Sequence, residues 1–154
     1  MRNLLAKHPF PPLDVIIPIL EQSGQGGQEL ATHIYNVDTT LITELKEVLN
    51  LKDTDMRTLA KVWEYICSFE GWKFQPIELN ESTFSFSIPQ CPMLRVGKDV
   101  NPSVKSKYCD LICTAGRTAI MDAVLGRGRA TFSRDKALIK GAGKCTVTFT
   151  LVKP

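Results

Sequence analysis

Two short segments in the second half of the chain alternate strictly between apolar and hydroxyl side chains. Residues 83–88 interleave two phenylalanines and an isoleucine with one threonine and two serines, and residues 145–151 interleave four apolar side chains with three threonines. A period of two residues is typical of a β-strand with one apolar and one polar face. The two segments therefore predict a sheet whose apolar face needs a covering layer of helices.

The residue pattern in the second half of the chain predicts four strands and one long helix in the order β-β-α-β-β. The strands are expected at residues 72–79, 82–88, 129–133 and 144–152. Residues 103–125 have helical spacing, and glycines at 126 and 128 act as a stop signal. Because a short turn joins the first two strands, we expect a β-hairpin within an antiparallel sheet.

The first half of the chain predicts helices. Residues 1–27 combine a proline-rich arm with a glycine-rich hinge, and helices are expected at 29–35, after Asp38 and after Asp53. Cys67 falls on the apolar stripe of the last of these helices. Free cysteine is among the most buried residue types, so we expect Cys67 in the core.

These patterns together predict one α+β domain over residues 1–154. A chain of 154 residues with 44% hydrophobic residues has the size of one domain with one sizeable core. The expected architecture is an arm and hinge in 1–27, a helical layer in 28–71, and a β-β-α-β-β unit in 72–152. The helical layer is expected to pack on the four-stranded antiparallel sheet.

Charge and hydropathy narrow the functional classes. The 19 basic and 16 acidic residues give a net charge of +3, which argues against a dedicated nucleic-acid binder. No apolar run approaches the roughly 18 residues of a membrane span, and we expect neither a signal peptide nor an anchor. The expected compartment is therefore the cytoplasm, where the five cysteines would stay reduced.

The long helix has two apolar stripes. The main stripe comprises Val104, Tyr108, Leu111, Ile112, Ala115, Ala119 and Ala123, and the second comprises Cys109, Cys113, Gly116, Ile120 and Val124. A helix with apolar side chains on two sides is expected to pack between its sheet and a second body. That body is the N-terminal helical layer, a partner subunit in a homodimer, or a small-molecule pocket.

The cysteines of the second half are the candidate functional residues. Candidate ligand-binding residues are Cys91, Cys109, Cys113, Arg117, Ile120 and Val124, and candidate ligands for zinc or another thiophilic metal are Cys91, Cys109 and Cys145. Residues four apart on a helix share a face, which brings Cys109 and Cys113 together. Cys109 and Asp110 are the candidate catalytic residues, although both histidines, His8 and His33, lie in the other half of the chain.

Three of these cysteines stand at the ends of predicted elements. Cys91 follows the hairpin, Cys109 lies near the start of the long helix, and Cys145 opens the last strand. If the last strand pairs with the hairpin, the three thiols are expected to meet at one rim of the sheet, with Cys113 one turn further along the helix. The alternative is that each cysteine fills a separate niche in the core.

The same residues carry a resemblance to a known group of proteins. CPM at 91–93, YCDLICTAG at 108–116 and GAGKCTVTFTL at 141–151 resemble a prokaryotic group related to the 4-vinyl-reductase-like domains and the L-2-amino-thiazoline-4-carboxylate hydrolase-like proteins. The resemblance covers about the last 80 residues. It implies functional roles for Cys91, Cys109, Gly143 and Cys145. The chain departs from the hydrolase branch because no histidine lies near the cysteines in its sequence.

Three functions remain open at this level. The resemblance and the thiols favour a cysteine-bearing module that binds a small molecule or a thiophilic metal, with a sensory role. The second hypothesis is a cysteine-dependent hydrolase of a small sulfur- or nitrogen-containing heterocycle. The third is a structural interaction domain without a cleft at the cysteines. A reactive thiol must be reachable whereas structural thiols are buried, so the exposure of each sulfur separates these hypotheses.

Overall fold

The alternating segments form the two central strands of an antiparallel sheet. A computed structural model describes positions 18, 21 and 22 and residues 39–69, 71–90 and 102–153. The helix predicted at 29–35, most of the predicted arm and Cys91 lie outside the described residues. The described part nevertheless contains the whole β-β-α-β-β unit apart from the connection between the hairpin and the long helix.

The element order confirms the predicted α+β fold. The helices are α1 (Thr39–Val48), α2 (Met56–Phe69) and α3 (Pro102–Leu125), and a short 3-10 helix spans Leu138–Lys140. The strands are β1 (Gln75–Leu79), β2 (Thr83–Ile88), β3 (Ala130–Lys136) and β4 (Cys145–Leu151). They lie in the order β1-β2-β4-β3, and every neighbouring pair is antiparallel. The last strand thus pairs with the hairpin.

Helix α2 begins at a side-chain cap. The Asp55 carboxylate accepts a hydrogen bond of 2.8 Å from the backbone N–H of Thr58, which leaves one fewer unpaired donor at the helix start. This bond lowers the pKa of Asp55. The helix thus begins shortly after Asp53, as the sequence pattern predicted. Cys67 is buried in the core, as its position on the apolar stripe predicted.

The core lies between the helices and one face of the sheet. Phe84 and Phe86 of β2 and Phe149 of β4 are fully buried on this face. Trp63 of α2 lies against it, with ring centroids 5.4 Å from Phe86 and 6.1 Å from Phe149. The opposite face carries hydroxyl side chains in register, since Ser85 pairs with Thr148 across the two central strands. The sheet is therefore aromatic on one side and hydroxyl-lined on the other.

Helix α3 packs with the stripe that sequence analysis ranked second. Its buried side chains are Cys109, Arg117, Ile120, Met121, Val124 and Leu125, whereas Leu111, Ala115, Ala119 and Ala123 of the other stripe are only partly buried. The bulkier side chains fill the space over the sheet, and the alanines leave room for close helix packing. Helix α3 contacts α1, α2 and β3, so the N-terminal helical layer is the second body against it.

The two edges of the sheet are irregular. Strand β1 is exposed along its whole length, it contains Pro76, and its register with β2 shifts between Pro76 and Glu78. Strand β3, at the other edge, shifts register between Arg134 and Lys136. Among the described residues, no helix is long and apolar enough to cross a membrane.

Candidate thiol–arginine site

The N-terminal part of the buried face of α3 carries two cysteines and an arginine. Cys109, Cys113 and Arg117 follow one another at four-residue steps, which places them on one side of the helix. Arg134 of β3 and Cys145 of β4 meet this part of the helix from the sheet. We call these five residues the thiol–arginine site. The tight turn after the helix and the antiparallel return of β3 and β4 bring residues from distant parts of the sequence to it.

Cys109 is held by an arginine from the sheet. The Nη1 atom of Arg134 donates a hydrogen bond of 3.0 Å to Cys109 Sγ, and Cys109 is almost fully buried. Arg134 also forms an ion pair with Asp110, whose other carboxylate oxygen lies 3.0 Å from Lys140 Nζ. Asp110 therefore pairs with cations of β3 and the 3-10 helix. Neither ion pair was predicted from the sequence.

The two cysteines of α3 are joined by a hydrogen bond that shifts the pKa of each thiol. A hydrogen bond from Cys109 and the positive charge of Arg117 together lower the pKa of Cys113 to about 6, although burial and Cys145 act in the opposite direction. The same hydrogen bond and burial raise the pKa of Cys109, although Arg134 opposes this. Because Arg134 divides its charge between Cys109 and Asp110, its pull on Cys109 is weakened. The raised pKa of Cys109 and the lowered pKa of Cys113 favour a thiol at Cys109 and a thiolate at Cys113.

Cys145 is the third sulfur of the site. It is buried at the start of β4, and its Sγ accepts a hydrogen bond of 3.2 Å from the backbone N–H of Leu138. It lies near enough to Cys113 to raise the pKa of that thiol. The structure therefore brings together three of the four cysteines named as candidates, while the predicted convergence that includes Cys91 involves a residue outside those described.

Arg117 is the most unusual residue of the site. Its side chain is 5% exposed, and its Cζ atom lies 5.7 Å from the ring centroid of Trp63 and 5.9 Å from those of Phe86 and Phe132. Its Nη1 atom is buried without a hydrogen-bond partner among the described residues. Ring faces attract a cation, but they do not satisfy its N–H donors. The negative group beside it is the Cys113 thiolate.

The charges of this region leave it positive. Arg117, Arg134 and Lys140 supply three cations, and Asp110 and the Cys113 thiolate supply two anions. These five groups therefore sum to one net positive charge. No group of three or more histidine, cysteine, aspartate or glutamate side chains that could hold a metal occurs among the described residues. Zinc binding by Cys91, Cys109 and Cys145 stays a prediction, since Cys91 is not described.

The remaining candidate residues lie deeper in the fold. Ile120 and Val124 are buried in the hydrophobic core on the same face of α3 as Arg117. Sequence analysis did not anticipate Arg134, although it alternates with Phe132 and Ala130 on β3 and so shares their inward face. Its alternation with two apolar residues was the signal that could have placed it at the site.

Comparison with known proteins gives little to add. The chain matches no known family model and no curated protein. It is similar to the solved structure of a trafficking protein particle complex subunit 3 from Naegleria fowleri, covalently bound to palmitic acid, over 90% of this chain and 82% of that one, with 15% identity and a TM-score of 0.46. No statement about this chain follows from a likeness of that size.

Proposed function

We propose that the chain is a cysteine-bearing module that binds a small molecule at the thiol–arginine site. The observation that carries this proposal is the buried guanidinium of Arg117, whose Nη1 atom has no hydrogen-bond partner within the described residues. Leaving a buried donor unsatisfied costs about 1–3 kcal/mol, and more for a charged group. A ligand with an acceptor oxygen would remove that cost when it binds.

Cys113 is the least buried cysteine of the site. It is partly exposed, whereas Cys109 and Cys145 are buried. It is also the cysteine whose lowered pKa makes it a thiolate at neutral pH. The thiolate is the reactive and metal-binding form of cysteine. The least buried cysteine of the site is thus also the one with the lowered pKa, and the hydrogen bond from Cys109 favours its thiolate whereas Cys145 opposes it.

A cysteine-dependent hydrolase is the second candidate. The low pKa of Cys113 favours it, because a thiolate is a nucleophile without the help of a base. Hydrolysis also needs a group that activates water. Neither His8 nor His33 lies within the described residues, and Asp110 is engaged in two ion pairs. The binding function needs no such group, so the site supports it better.

The experiment is mass spectrometry of the full chain purified without a metal-affinity tag. The mass under native conditions, compared with the mass after denaturation, reports a bound small molecule, and elemental analysis of the same sample reports zinc or another thiophilic metal. We expect a small molecule that is lost from Cys113→Ser and retained by Cys67→Ser, the matched control in the core. Metal bound in proportion to protein, and lost with Cys113, would favour the metal-binding form. A ligand retained by Cys113→Ser would contradict the proposed site.

A further inference from the structure

We infer that the thiol–arginine site selects a small organic anion that has an electrophilic carbon next to its negative group, with the anion paired to Arg117 and the carbon facing Cys113 Sγ. This inference rests on the proposed function, and it adds the chemical class of the ligand.

The cations of this region differ in their partners. Arg134 and Lys140 share the carboxylate of Asp110, so each has an anionic partner within the protein. Arg117 forms no ion pair with a carboxylate of the described residues, and the Cys113 thiolate is its counter-charge. A guanidinium presents its donors in a planar fork that fits an oxyanion. Because the buried Nη1 atom of Arg117 has no hydrogen-bond partner among the described residues, the open position for an oxyanion is at Arg117.

A reaction at Cys113 removes the negative charge of its sulfur. In a displacement, the electron pair of the Cys113 thiolate forms the new S–C bond, and the leaving group departs with the electron pair of the bond that breaks. The sulfur becomes a neutral thioether, so Arg117 loses its counter-charge in a buried position. A neutral reagent leaves that cation unpaired, which is costly in a buried position. An anionic reagent brings a replacement charge with it.

The aromatic rings around Arg117 strengthen this selection. Trp63, Phe86 and Phe132 lie within 5.9 Å of its Cζ atom and exclude water from its faces. Charges interact more strongly where water is excluded, so a ligand anion would be attracted more here than at an exposed arginine. Cys113 is one helical turn away from Arg117, which suits a reagent in which charge and electrophilic carbon are adjacent.

Alkylation with a matched pair of reagents tests the inference. Iodoacetate and iodoacetamide differ in one negative charge, and each forms the same kind of S–C bond while iodide leaves. The rates at Cys113 are measured at neutral pH on the full chain by intact mass and peptide mapping, and the same ratio is measured in urea. We expect the iodoacetate-to-iodoacetamide rate ratio to be at least about tenfold higher in the folded protein than in urea, as a close ion pair in a shielded site would give.

Three variants locate the origin of the preference. Arg117→Gln should lower the ratio to its value in urea, Arg117→Lys should retain part of it, and Arg129→Gln, at an exposed arginine, should leave it unchanged. If Arg117→Gln does not fold, the ratio of the wild-type protein in the folded state and in urea still decides the matter. Equal ratios would overturn the charge selection alone. If neither reagent modifies Cys113 in the folded protein, the proposed function fails as well.

Discussion

The two ends of the buried face of α3 meet the same sheet with different chemistry. The C-terminal end presents Ile120, Met121, Val124 and Leu125, which belong to the hydrophobic core together with Phe84 and Phe149. The N-terminal end presents Cys109, Cys113 and Arg117. The apolar end holds the helix against the sheet, so the other end can retain a buried cation and a thiolate that would not by themselves hold two elements together. The apolar contacts at one end of the helix thus offset the free-energy cost of burying charged groups at the other.

The largest expected effect comes from the apolar end. Phe149→Ala removes a fully buried ring that contacts Trp63, Phe84 and Phe132. We expect it to lower the free energy of unfolding by about 3–5 kcal/mol, as large-to-small changes of buried phenylalanine do. Urea unfolding followed by circular dichroism measures this. A loss below about 1 kcal/mol would mean that the aromatic cluster is not the main support of the fold.

The sequence predicted the strands of the apolar core better than it predicted the thiol–arginine site. Strict alternation located the two central strands within a residue or two, because each strand has one face in the core. It did not show which stripe of α3 meets the sheet, since both stripes are apolar and only packing volume separates them. Arg117 was named as a candidate ligand-binding residue, but its burial was not predicted, because charged side chains are rarely buried. Its actual surroundings come from three other elements, which no local pattern contains.

Cys67→Ala should have a smaller effect, and on stability alone. The thiol is fully buried in α2 and belongs to the core, so its removal leaves a small cavity. We expect the free energy of unfolding to fall by about 1–3 kcal/mol. The alkylation rate of Cys113 in the folded variant should equal that of the wild-type protein. A change in the alkylation rate without a loss of stability would show that α2 couples the core around Cys67 to the thiol–arginine site.

Changes at Cys109 should act on reactivity. In the wild-type protein the rate of Cys113 alkylation by iodoacetamide should rise as the pH increases through about 6, because the thiolate forms there. Cys109→Ala removes the hydrogen bond that lowers this pKa most, so the midpoint should move to higher pH. Cys109→Ser retains a donor, and its midpoint should lie between the other two. If all three midpoints coincide, the hydrogen bond between the cysteines does not control the thiolate.

The smallest effect is expected at Asp110. This carboxylate is 45% exposed, and its ion pairs with Arg134 and Lys140 lie at the border of the site. Asp110→Asn should lower the free energy of unfolding by about 1 kcal/mol, because the carboxylate is half-exposed even though the side chain of Arg134 is largely buried. The alkylation rate of Cys113 should change little. A large loss of that rate, with the fold intact by circular dichroism, would return Asp110 to the candidate catalytic residues.

The irregular edges of the sheet limit how copies of this chain can assemble. Pro76 has no N–H to offer a neighbouring strand, and the register shifts in β1 and β3 interrupt the regular spacing of both edges. Open edges with regular hydrogen-bonding groups are templates for fibre growth, and these edges are poor ones. A crowded solution of the folded protein should therefore resist conversion to cross-β aggregates, even though the isolated phenylalanine-rich strand β2 has the composition that favours them.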